Sequence, residues 1–177
     1  MTFLHPTPHT LYTQRLKLRS PTFEDASIIA QLAHNPKIAS MTATLPYPYF
    51  PSMAVEWVKQ VEAQHSKGTN RVYLICHIKQ NESEKIMGAI QLRSLQSGEF
   101  NLAYWLGEPY WGYGFCTEAG QAVLNMAHDF KLSPIVAKHL VENSASKKVL
   151  LRLGFKYTGS ERSEHRKETH TFSLYRL

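Results

Sequence analysis

Hydrophobic residues recur along the chain at two spacings, one typical of strands and one typical of amphipathic helices. Apolar residues at every second position predict strands, for example from Phe100 to Leu106. Spacings of three and four residues predict helices, for example from Ala119 to Phe130. The predicted order along the whole chain is β-α-α-β-β-β-α-β-α-β-β. A mixed, mostly antiparallel sheet with helices on both faces accommodates this order, so the predicted class is α/β (α+β).

Caps, glycines and prolines between the periodic segments set the boundaries of the predicted elements. Thr22, with Asp25 three residues later, is typical of a helix start, and Asn35-Pro36 is interpreted as the end of that helix. Four prolines within 36–51 predict an ordered loop. About seven strands are predicted in 11–20, 71–78, 86–92, 100–106, 135–141, 155–160 and 169–177, and about four helices in 22–34, 52–66, 119–130 and 143–153.

Length and composition are those of an ordinary globular domain. The chain has 177 residues, of which 43% are hydrophobic and 19% charged, so one domain over 1–177 is predicted, with residues 1–10 as a flexible tail. The pattern predicts neither a signal peptide nor a membrane span, because it contains no basic and apolar leader and no long apolar run. Two cysteines without metal-ligand spacing predict a reduced, cytoplasmic protein with no bound metal.

The chain is mildly basic, with 20 Lys and Arg against 14 Asp and Glu and a net charge of +6. This excess suits a ligand that carries several phosphates, and it equally suits association with RNA or a ribosome. The basic residues are scattered and their densest run, 165–167, is short. A solvated basic surface is therefore favoured over nucleic-acid binding, and the sequence allows a monomer or a homodimer.

A glycine-containing turn, residues 109–119, lies between the strand at 100–106 and the following helix. Glycines at Gly112 and Gly114 allow the backbone to approach a ligand closely, and the first N–H groups of a helix attract anions. A dinucleotide fingerprint starting at Gly112 requires a third glycine where Thr117 stands. A Walker A loop requires lysine where Tyr113 stands. The turn thus predicts a phosphate-bearing ligand held by backbone amides, but neither of these nucleotide loops.

The turn resembles the pyrophosphate loop of GNAT acetyltransferases. Its sequence motif, Trp-Gly-x-Gly-aromatic-x-Thr-Glu-Ala over 111–119, is similar to that of the RimJ/RimL-like branch, whose members acetylate protein N-termini. A second similarity is Asn143 with Ser146 three residues later and Gly-Phe at 154–155, and a third is Arg-Leu-x-Leu-Arg at 15–19. Together these motifs span nearly the whole chain, and their order agrees with the predicted order of strands and helices.

The resemblance implies acetyl-coenzyme A as the donor and a primary amine as the acceptor, in one direct transfer. A protein or peptide N-terminus is the favoured acceptor by branch resemblance. Asn143 is expected to bind the pantetheine arm, and Lys147 or Lys148 is expected to approach the phosphates. The backbone of Trp105 and Leu106 is expected to pair with the pantetheine amides and to present an N–H to the thioester oxygen. The residues expected to hold the pyrophosphate are Trp111, Gly112, Tyr113, Gly114, Phe115, Cys116 and Thr117.

Two residues depart from the family pattern, and both affect proton transfer. The tyrosine that many members place seven residues after the asparagine is Leu150 here, which leaves Ser146 as the nearest hydroxyl for protonating the thiolate. Asn101 stands where many members carry an acid, and an amide cannot accept the proton of the amine. The candidate bases are then Glu99, Glu108, Glu142 and His139, with loss of the proton to water as a further possibility.

Other classes of function stay open at this point. The acceptor can be a small-molecule amine, since acceptor specificity in such folds lies in variable surfaces. A non-catalytic domain that binds coenzyme A is compatible with Leu150 and Asn101. A module that binds RNA or a ribosome is suggested by charge alone.

Overall fold

An eight-stranded sheet forms the centre of the molecule, with strand order β1-β2-β3-β4-β5-β6-β8-β7. The computed structural model describes residues 9–42, 44–78, 83–165 and 168–177. Neighbouring strands pair antiparallel except β5 and β6, which run parallel. The strands are β1 Thr10–Tyr12, β2 Leu16–Arg19, β3 Asn70–His77, β4 Lys85–Ser94, β5 Phe100–Leu106, β6 Ile135–Leu140, β7 Lys156–His165 and β8 Glu168–Arg176.

Helices cover both faces of the sheet and enclose a hydrophobic core on each side. On one face, Ile29 and Val58 pack against Leu74 and Ala89 of the sheet. On the other face, a larger core forms around Val123. The helices are α1 Ala26–Ala33, α2 Pro36–Met41, α3 Pro51–Ser66, α4 Phe115–Asp129 and α5 Ser144–Arg152. The predicted class, a mixed and mostly antiparallel sheet with helices on both faces, is confirmed.

The parallel strands β5 and β6 separate after a short paired stretch. They pair only over Phe100–Leu102 and Ile135–Ala137, although β5 continues to Leu106 and β6 to Leu140. On its other edge, β5 stays paired with β4 as far as Leu106. The edge of β5 that faces β6 therefore loses its partner strand beyond Leu102, and a cleft opens in the sheet at this point.

Two local interpretations were wrong, and each concerns an element that the sequence pattern merged or missed. The predicted single strand at 11–20 is a hairpin of β1 and β2, with Thr13 N–H donating to the Leu16 carbonyl in the turn. The segment interpreted as loop begins with the helix α2. Asn35 caps α2 by accepting a hydrogen bond from the Lys37 N–H, and Pro36 occupies its first turn. Asn35-Pro36 thus ends one helix and begins the next, which is where proline is best tolerated.

Other local predictions are confirmed or shift slightly. The Thr22–Asp25 capping box is present, but it begins a 3-10 turn before α1. The second long helix begins at Pro51, so Ser52 lies inside it and does not cap it. Cys76 is fully buried in the core, and burial raises the pKa of its thiol to about 12. Most of the predicted tail, residues 1–8, lies outside the described residues, and β1 begins at Thr10.

Candidate active site

Two cavities meet where β5 and β6 separate. The loop cavity, of about 430 Å³, lies between the glycine turn, the end of β5 and the first turns of α5. The sheet cavity, of about 280 Å³, extends from the same place across the face of β4, β5 and β6. Residues that line both cavities form the junction, and they are Met41, Thr42, Tyr104, Trp105, Asn143 and Ser146. A larger depression of about 800 Å³ lies beside α4 and β1, but it does not reach the junction.

The glycine turn presents the start of α4 to the loop cavity. Gly112 and Gly114 have φ angles of +84° and +81°, and Gly114 is the N-cap residue of α4. The first backbone bond of the helix runs from Glu118 N–H to the Gly114 carbonyl. The N–H groups before Glu118 therefore have no intrahelical acceptor, and they lie at the positive end of the helix dipole. Such an arrangement suits an anionic group, and the contact of the turn with a phosphate stays a prediction.

Thr117 provides an independent test of whether the loop cavity suits a polar ligand. Its side chain lines the loop cavity, and its Oγ1 is buried without a hydrogen-bond partner among the described residues. A buried hydroxyl without a partner is costly, and a ligand oxygen at the helix start would supply one. The side chains around the turn thus fit a phosphate-bearing ligand.

A cluster of Thr13, Arg15 and Glu118, the turn clamp, fixes the start of α4 against the β1–β2 hairpin. Glu118 accepts hydrogen bonds from the Thr13 hydroxyl and from the Arg15 backbone N–H, and Arg15 Nε donates to it at 2.7 Å. Arg15 also donates to the Tyr113 carbonyl at 3.2 Å and lies 4.6 Å from the centre of the Phe115 ring. Burial raises the pKa of Glu118, but these hydrogen bonds outweigh it, so the pKa is lowered.

The turn clamp was not predicted as a unit. Its members are about 100 residues apart in the chain, so no local pattern joins them. The only signal was that Arg15 and Glu118 both belong to motifs through which the chain resembles GNAT enzymes.

Asn143 and Ser146 meet at the junction as predicted, but the Asn143 side chain already has partners. Its Oδ1 accepts from the Ser146 N–H at 3.0 Å, which caps α5, and its Nδ2 donates to the Met41 carbonyl at 2.9 Å. Asn143 therefore holds the end of α2 against the start of α5. In this arrangement Asn143 stabilises the wall of the junction. One lone pair of its oxygen and one N–H are already used, so its predicted contact with a ligand would use the other lone pair or the other N–H.

Trp105 and Leu106 lie where β5 still pairs with β4 but no longer with β6. On the edge that has lost β6, a ligand can pair with backbone groups. Trp105 belongs to the junction, and Leu106 lines the loop cavity. The indole N–H of Trp111 donates to the Leu106 carbonyl at 2.8 Å, so one acceptor of this strand end is already in use. Trp111 thereby fixes the glycine turn to the end of β5.

Tyr104 brings a second hydroxyl to the junction, and sequence reasoning did not identify it. Its hydroxyl donates to the Ser146 carbonyl at 3.2 Å, across the cleft from β5 to α5. Burial raises the pKa of Tyr104, so its hydroxyl keeps its proton. Leu150, which replaces the tyrosine of many family members, is buried in the core. A phenol is therefore present near this turn of α5, but it comes from the opposite strand.

The four candidate bases lie in different places. Glu99 forms an ion pair with Arg176, and Glu108 binds Lys37, and neither carboxylate lines the junction or the two cavities. Glu142 lines the loop cavity on its exposed side. His139 alone of the four lines the sheet cavity.

The hydrogen bonds of His139 define which ring nitrogen can accept a proton. Its Nδ1 lies 2.6 Å from the Leu140 carbonyl, which can only accept, so Nδ1 carries the hydrogen in the neutral ring. Its Nε2 lies 3.2 Å from the Tyr175 hydroxyl and is then the basic nitrogen. The ring is buried and both of its nitrogens have partners within the protein, while the residue lines the sheet cavity.

The remaining predicted ligand residues divide into those at the loop cavity and those outside it. Phe115 and Cys116 line the loop cavity, and burial raises the pKa of the Cys116 thiol to about 12, as suits a small filler. Tyr113 and Lys147 do not line it, whereas Lys148 and Arg152 do. Both of these cations belong to α5.

A family comparison agrees with this geometry. Residues 15–156 match the family described as "Acetyltransferase (GNAT) domain". The chain belongs to the GNAT acetyltransferase family. It is also 28% identical over 170 residues to the uncharacterized N-acetyltransferase p20 of Bacillus licheniformis, which covers 94% of this chain and 93% of that protein. The predicted class of enzyme, a GNAT N-acyltransferase, is thereby confirmed.

Solved structures of similar fold include two GNAT enzymes with bound cofactor. The microcin C7 self-immunity acetyltransferase MccE, in complex with acetyl-CoA and AMP, has a TM-score of 0.85 and 19% identity over 97% of both chains. RimL, the ribosomal L7/L12 alpha-N-protein acetyltransferase, in complex with coenzyme A, has a TM-score of 0.81 and 20% identity over 97% of this chain and 96% of that one. The expected likeness to RimL-type enzymes is confirmed at the level of the fold.

The described part of this GNAT domain contains no candidate membrane-spanning helix and no candidate metal site. Between residues 9 and 177, outside the gaps given above, no helix has the length and apolar character to cross a membrane. Within those same ranges, no three His, Cys, Asp or Glu side chains group closely enough to hold a metal ion.

The turn clamp gives a first testable prediction. Glu118→Gln removes the charge that Arg15 and Thr13 bind, so we expect the free energy of unfolding to fall by about 1–3 kcal/mol at neutral pH. Coenzyme A affinity should fall several-fold, because the clamp also holds the Tyr113 carbonyl and the start of α4. Chemical denaturation and calorimetric titration with coenzyme A measure the two effects.

The pH dependence of the same variant provides a further check. Because the folded-state pKa of Glu118 is lowered, its contribution to stability is present above its ordinary pKa and is lost as the pH falls through the folded-state pKa. The difference between wild type and Glu118→Gln should therefore shrink in acid. Glu99→Gln, which removes an ion pair with Arg176 outside the site, is the control and should change little. Equal losses in both variants would argue against the clamp.

Proposed function

We propose that this GNAT acetyltransferase transfers an acetyl group from acetyl-coenzyme A directly to the primary amine of a protein or peptide N-terminus. The observation that carries the proposal is the junction, where a cavity ending at a free helix N-terminus meets a second cavity that opens along the sheet. One cavity suits the donor and the other the acceptor, and both reach the same few residues. Direct transfer needs this geometry, because the amine and the thioester must meet.

The loop cavity is the proposed donor site. The amides of the glycine turn would bind the pyrophosphate, and the Thr117 hydroxyl would gain the partner that it lacks. Lys148 and Arg152 also line this cavity, where their charges favour phosphate groups. The unpaired edge of β5 at Trp105 and Leu106 supports a ligand that adds backbone-like hydrogen bonds, which the pantetheine amides would provide.

The acceptor amine must reach the junction with a free lone pair, so a base has to remove a proton first. We assign this role to His139, since this residue alone of the four candidates lines the sheet cavity, and its Nε2 would accept the proton in place of the hydrogen bond from the Tyr175 hydroxyl. The nitrogen lone pair then forms the new C–N bond, and the C–S bond of the thioester breaks. The nitrogen also loses a second proton, which balances the one that the leaving sulfur takes up. An N–H at the end of β5 is the proposed donor to the carbonyl oxygen as negative charge develops there.

The sulfur that leaves needs a proton, and two hydroxyls are present at the junction. Ser146 is the proposed donor, because it lies in the first turn of α5 and lines both cavities. Tyr104 binds the carbonyl of Ser146, so it can position that residue or supply the proton itself. Asn143 caps the same turn and keeps the Ser146 backbone in place.

An acetylation assay tests the proposed function. The purified chain is incubated with acetyl-coenzyme A and three acceptor sets: peptides with a free N-terminus, the same peptides with a blocked N-terminus but a lysine, and small amines. Release of free thiol and mass spectrometry of each acceptor measure the reaction. We expect acetylation at the free N-terminus, and His139→Gln should lower kcat/KM on the order of 10²-fold through loss of the base.

The outcomes separate the alternatives. Acetylation of small amines but of no peptide would overturn the acceptor assignment and favour a small-molecule acetyltransferase. Tight binding of coenzyme A without thiol release for any acceptor would favour a non-catalytic domain. Retention of full activity in His139→Gln would return the role of base to Glu142 or to water.

A further inference from the structure

The sheet cavity carries positive charge without any nearby carboxylate on its wall. Arg93 and Lys138 line it, and among the described residues that line it there is no Asp or Glu. The wall also contains neutral amides, Gln91 and Asn101 among them. An acceptor that enters this cavity therefore meets a cationic wall, although its own reacting group is an amine.

The two cations differ in whether they are already neutralised. Lys138 Nζ lies 2.7 Å from the Glu161 carboxylate and over the Phe172 ring. Arg93 is exposed and makes no ion pair with any described residue. Its guanidinium is thus available to a ligand, and guanidinium groups bind carboxylates in a two-point geometry that lysine lacks.

Register in the sheet gives the separation between Arg93 and the junction. Arg93 of β4 lies opposite Asn101 of β5, whereas Trp105, at the junction, lies four residues further along the same strand. At a rise of roughly 3.3 Å per residue, this is a separation of about 13 Å along the sheet. An extended peptide covers the same length in about four residues.

We propose that the acceptor is a peptide N-terminus whose third or fourth residue is acidic, and that Arg93 binds this carboxylate. The inference rests on the proposed function and adds the substrate class to it. The N-terminal amine lies at the junction, the chain runs along the sheet cavity, and the acidic side chain reaches the guanidinium. Peptides with a basic residue at this place meet Arg93 with like charge and are poor acceptors.

Charge-matched peptides test the inference. Four peptides share one sequence and differ only at positions three and four. These two positions are Glu-Glu in the first peptide, Gln-Gln in the second, Lys-Lys in the third and Ala-Ala in the fourth. For the wild type we expect kcat/KM for the Glu peptide to exceed that for the Gln peptide by about fivefold, since a partly exposed charge pair contributes modestly. Arg93→Gln should remove this preference, and Arg93→Glu should reverse it in favour of the Lys peptide.

Lys59→Glu is the control for the charge reversal. Lys59 is exposed on α3, lines neither the loop cavity nor the sheet cavity, and changes the net charge by the same amount. The preference for the Glu peptide should persist in this variant. Equal kcat/KM for all four peptides in the wild type, or an Arg93→Glu variant that still prefers Glu, would overturn the inference while leaving N-terminal acetylation intact. Acetylation of no peptide at all would instead be a failure of the proposed function.

Discussion

Gly114→Val is expected to abolish measurable binding of coenzyme A, and Gly112→Val is expected to weaken it strongly. Both residues have φ angles near +80°, a conformation that costs a β-branched residue on the order of 1–3 kcal/mol. If that strain is relieved by moving the turn, the amides at the start of α4 no longer converge on one phosphate. Since 1.4 kcal/mol corresponds to about tenfold in affinity, we expect losses of at least about 10- to 100-fold.

The physical cause is the turn conformation and the approach of the ligand, not a clash within the free protein. A Cβ added at Gly112 would meet no atom within 4 Å, and one at Gly114 would meet only Arg15 Nη2 at 3.8 Å. The free protein therefore offers no clash to a valine Cβ at either position, and the cost lies in the backbone conformation. Isothermal calorimetric titration of each variant with coenzyme A measures the loss of affinity.

Gly98→Val is a closely matched control. Gly98 has a φ angle of +86°, an added Cβ would also meet no atom within 4 Å, and the residue lies in a turn that lines neither cavity. The two substitutions thus carry the same backbone cost at different places. We expect Gly98→Val to lower stability while coenzyme A affinity stays near that of the wild type. A loss of affinity as large as that in Gly114→Val would show that general destabilisation, and not the turn, causes the effect.

The glycine turn and helix start of the proposed donor site could be predicted from the sequence because their determinants are local. Gly112, Gly114 and the start of α4 are contiguous, and a glycine turn before a helix has one dominant physical use. The separation of β5 and β6 is different, because it depends on where the pairing of two distant strands ends. No residue within β5 signals that Leu102 is its last partner of β6.

Errors in the prediction arose where one signal has two readings. Asn35-Pro36 stops a helix and also starts one, and only the observed contact of Asn35 with the Lys37 N–H decides between them. Similarly, a tyrosine at an alternating position of a strand is typical of core. Tyr104 packs against the core and still places its hydroxyl at the junction, so its polar end was not apparent from spacing.

The proposed proton donor to the leaving sulfur can come from α5 itself or from a residue distant in the chain. A family tyrosine on α5 is replaced by the buried Leu150, which the sequence shows directly. Its hydroxyl has two possible substitutes, Ser146 on the same helix and Tyr104 on the opposite strand. The Tyr104 hydroxyl already donates to the Ser146 carbonyl, and burial raises the pKa of this phenol above its ordinary value. Both residues line both cavities, but the Tyr104 hydroxyl is engaged with the Ser146 carbonyl, so Ser146 is the favoured proton donor.

Ser146→Ala is therefore expected to lower kcat on the order of 10²-fold, the usual effect of removing a general acid, with little change in coenzyme A affinity. Ser146→Thr retains a hydroxyl and should recover much of the activity. Tyr104→Phe should lower kcat by only several-fold, because Ser146 would keep its Asn143 cap while losing one hydrogen bond. Single-turnover rates and coenzyme A titrations of the three variants provide the comparison.

The opposite pattern has an equally definite meaning. If kcat falls by about 10²-fold in Tyr104→Phe and only several-fold in Ser146→Ala, the phenol from β5 is the proton donor. Its hydrogen bond to the Ser146 carbonyl is then the arrangement without substrate. Equal losses in kcat and in coenzyme A affinity for Ser146→Ala would make Ser146 a binding residue. Because Asn143 joins the start of α5 to the end of α2, a structural effect on that turn should also appear in Asn143→Ala. A loss specific to Ser146 or Tyr104 thus separates the chemistry of a hydroxyl from the order of the wall that carries it.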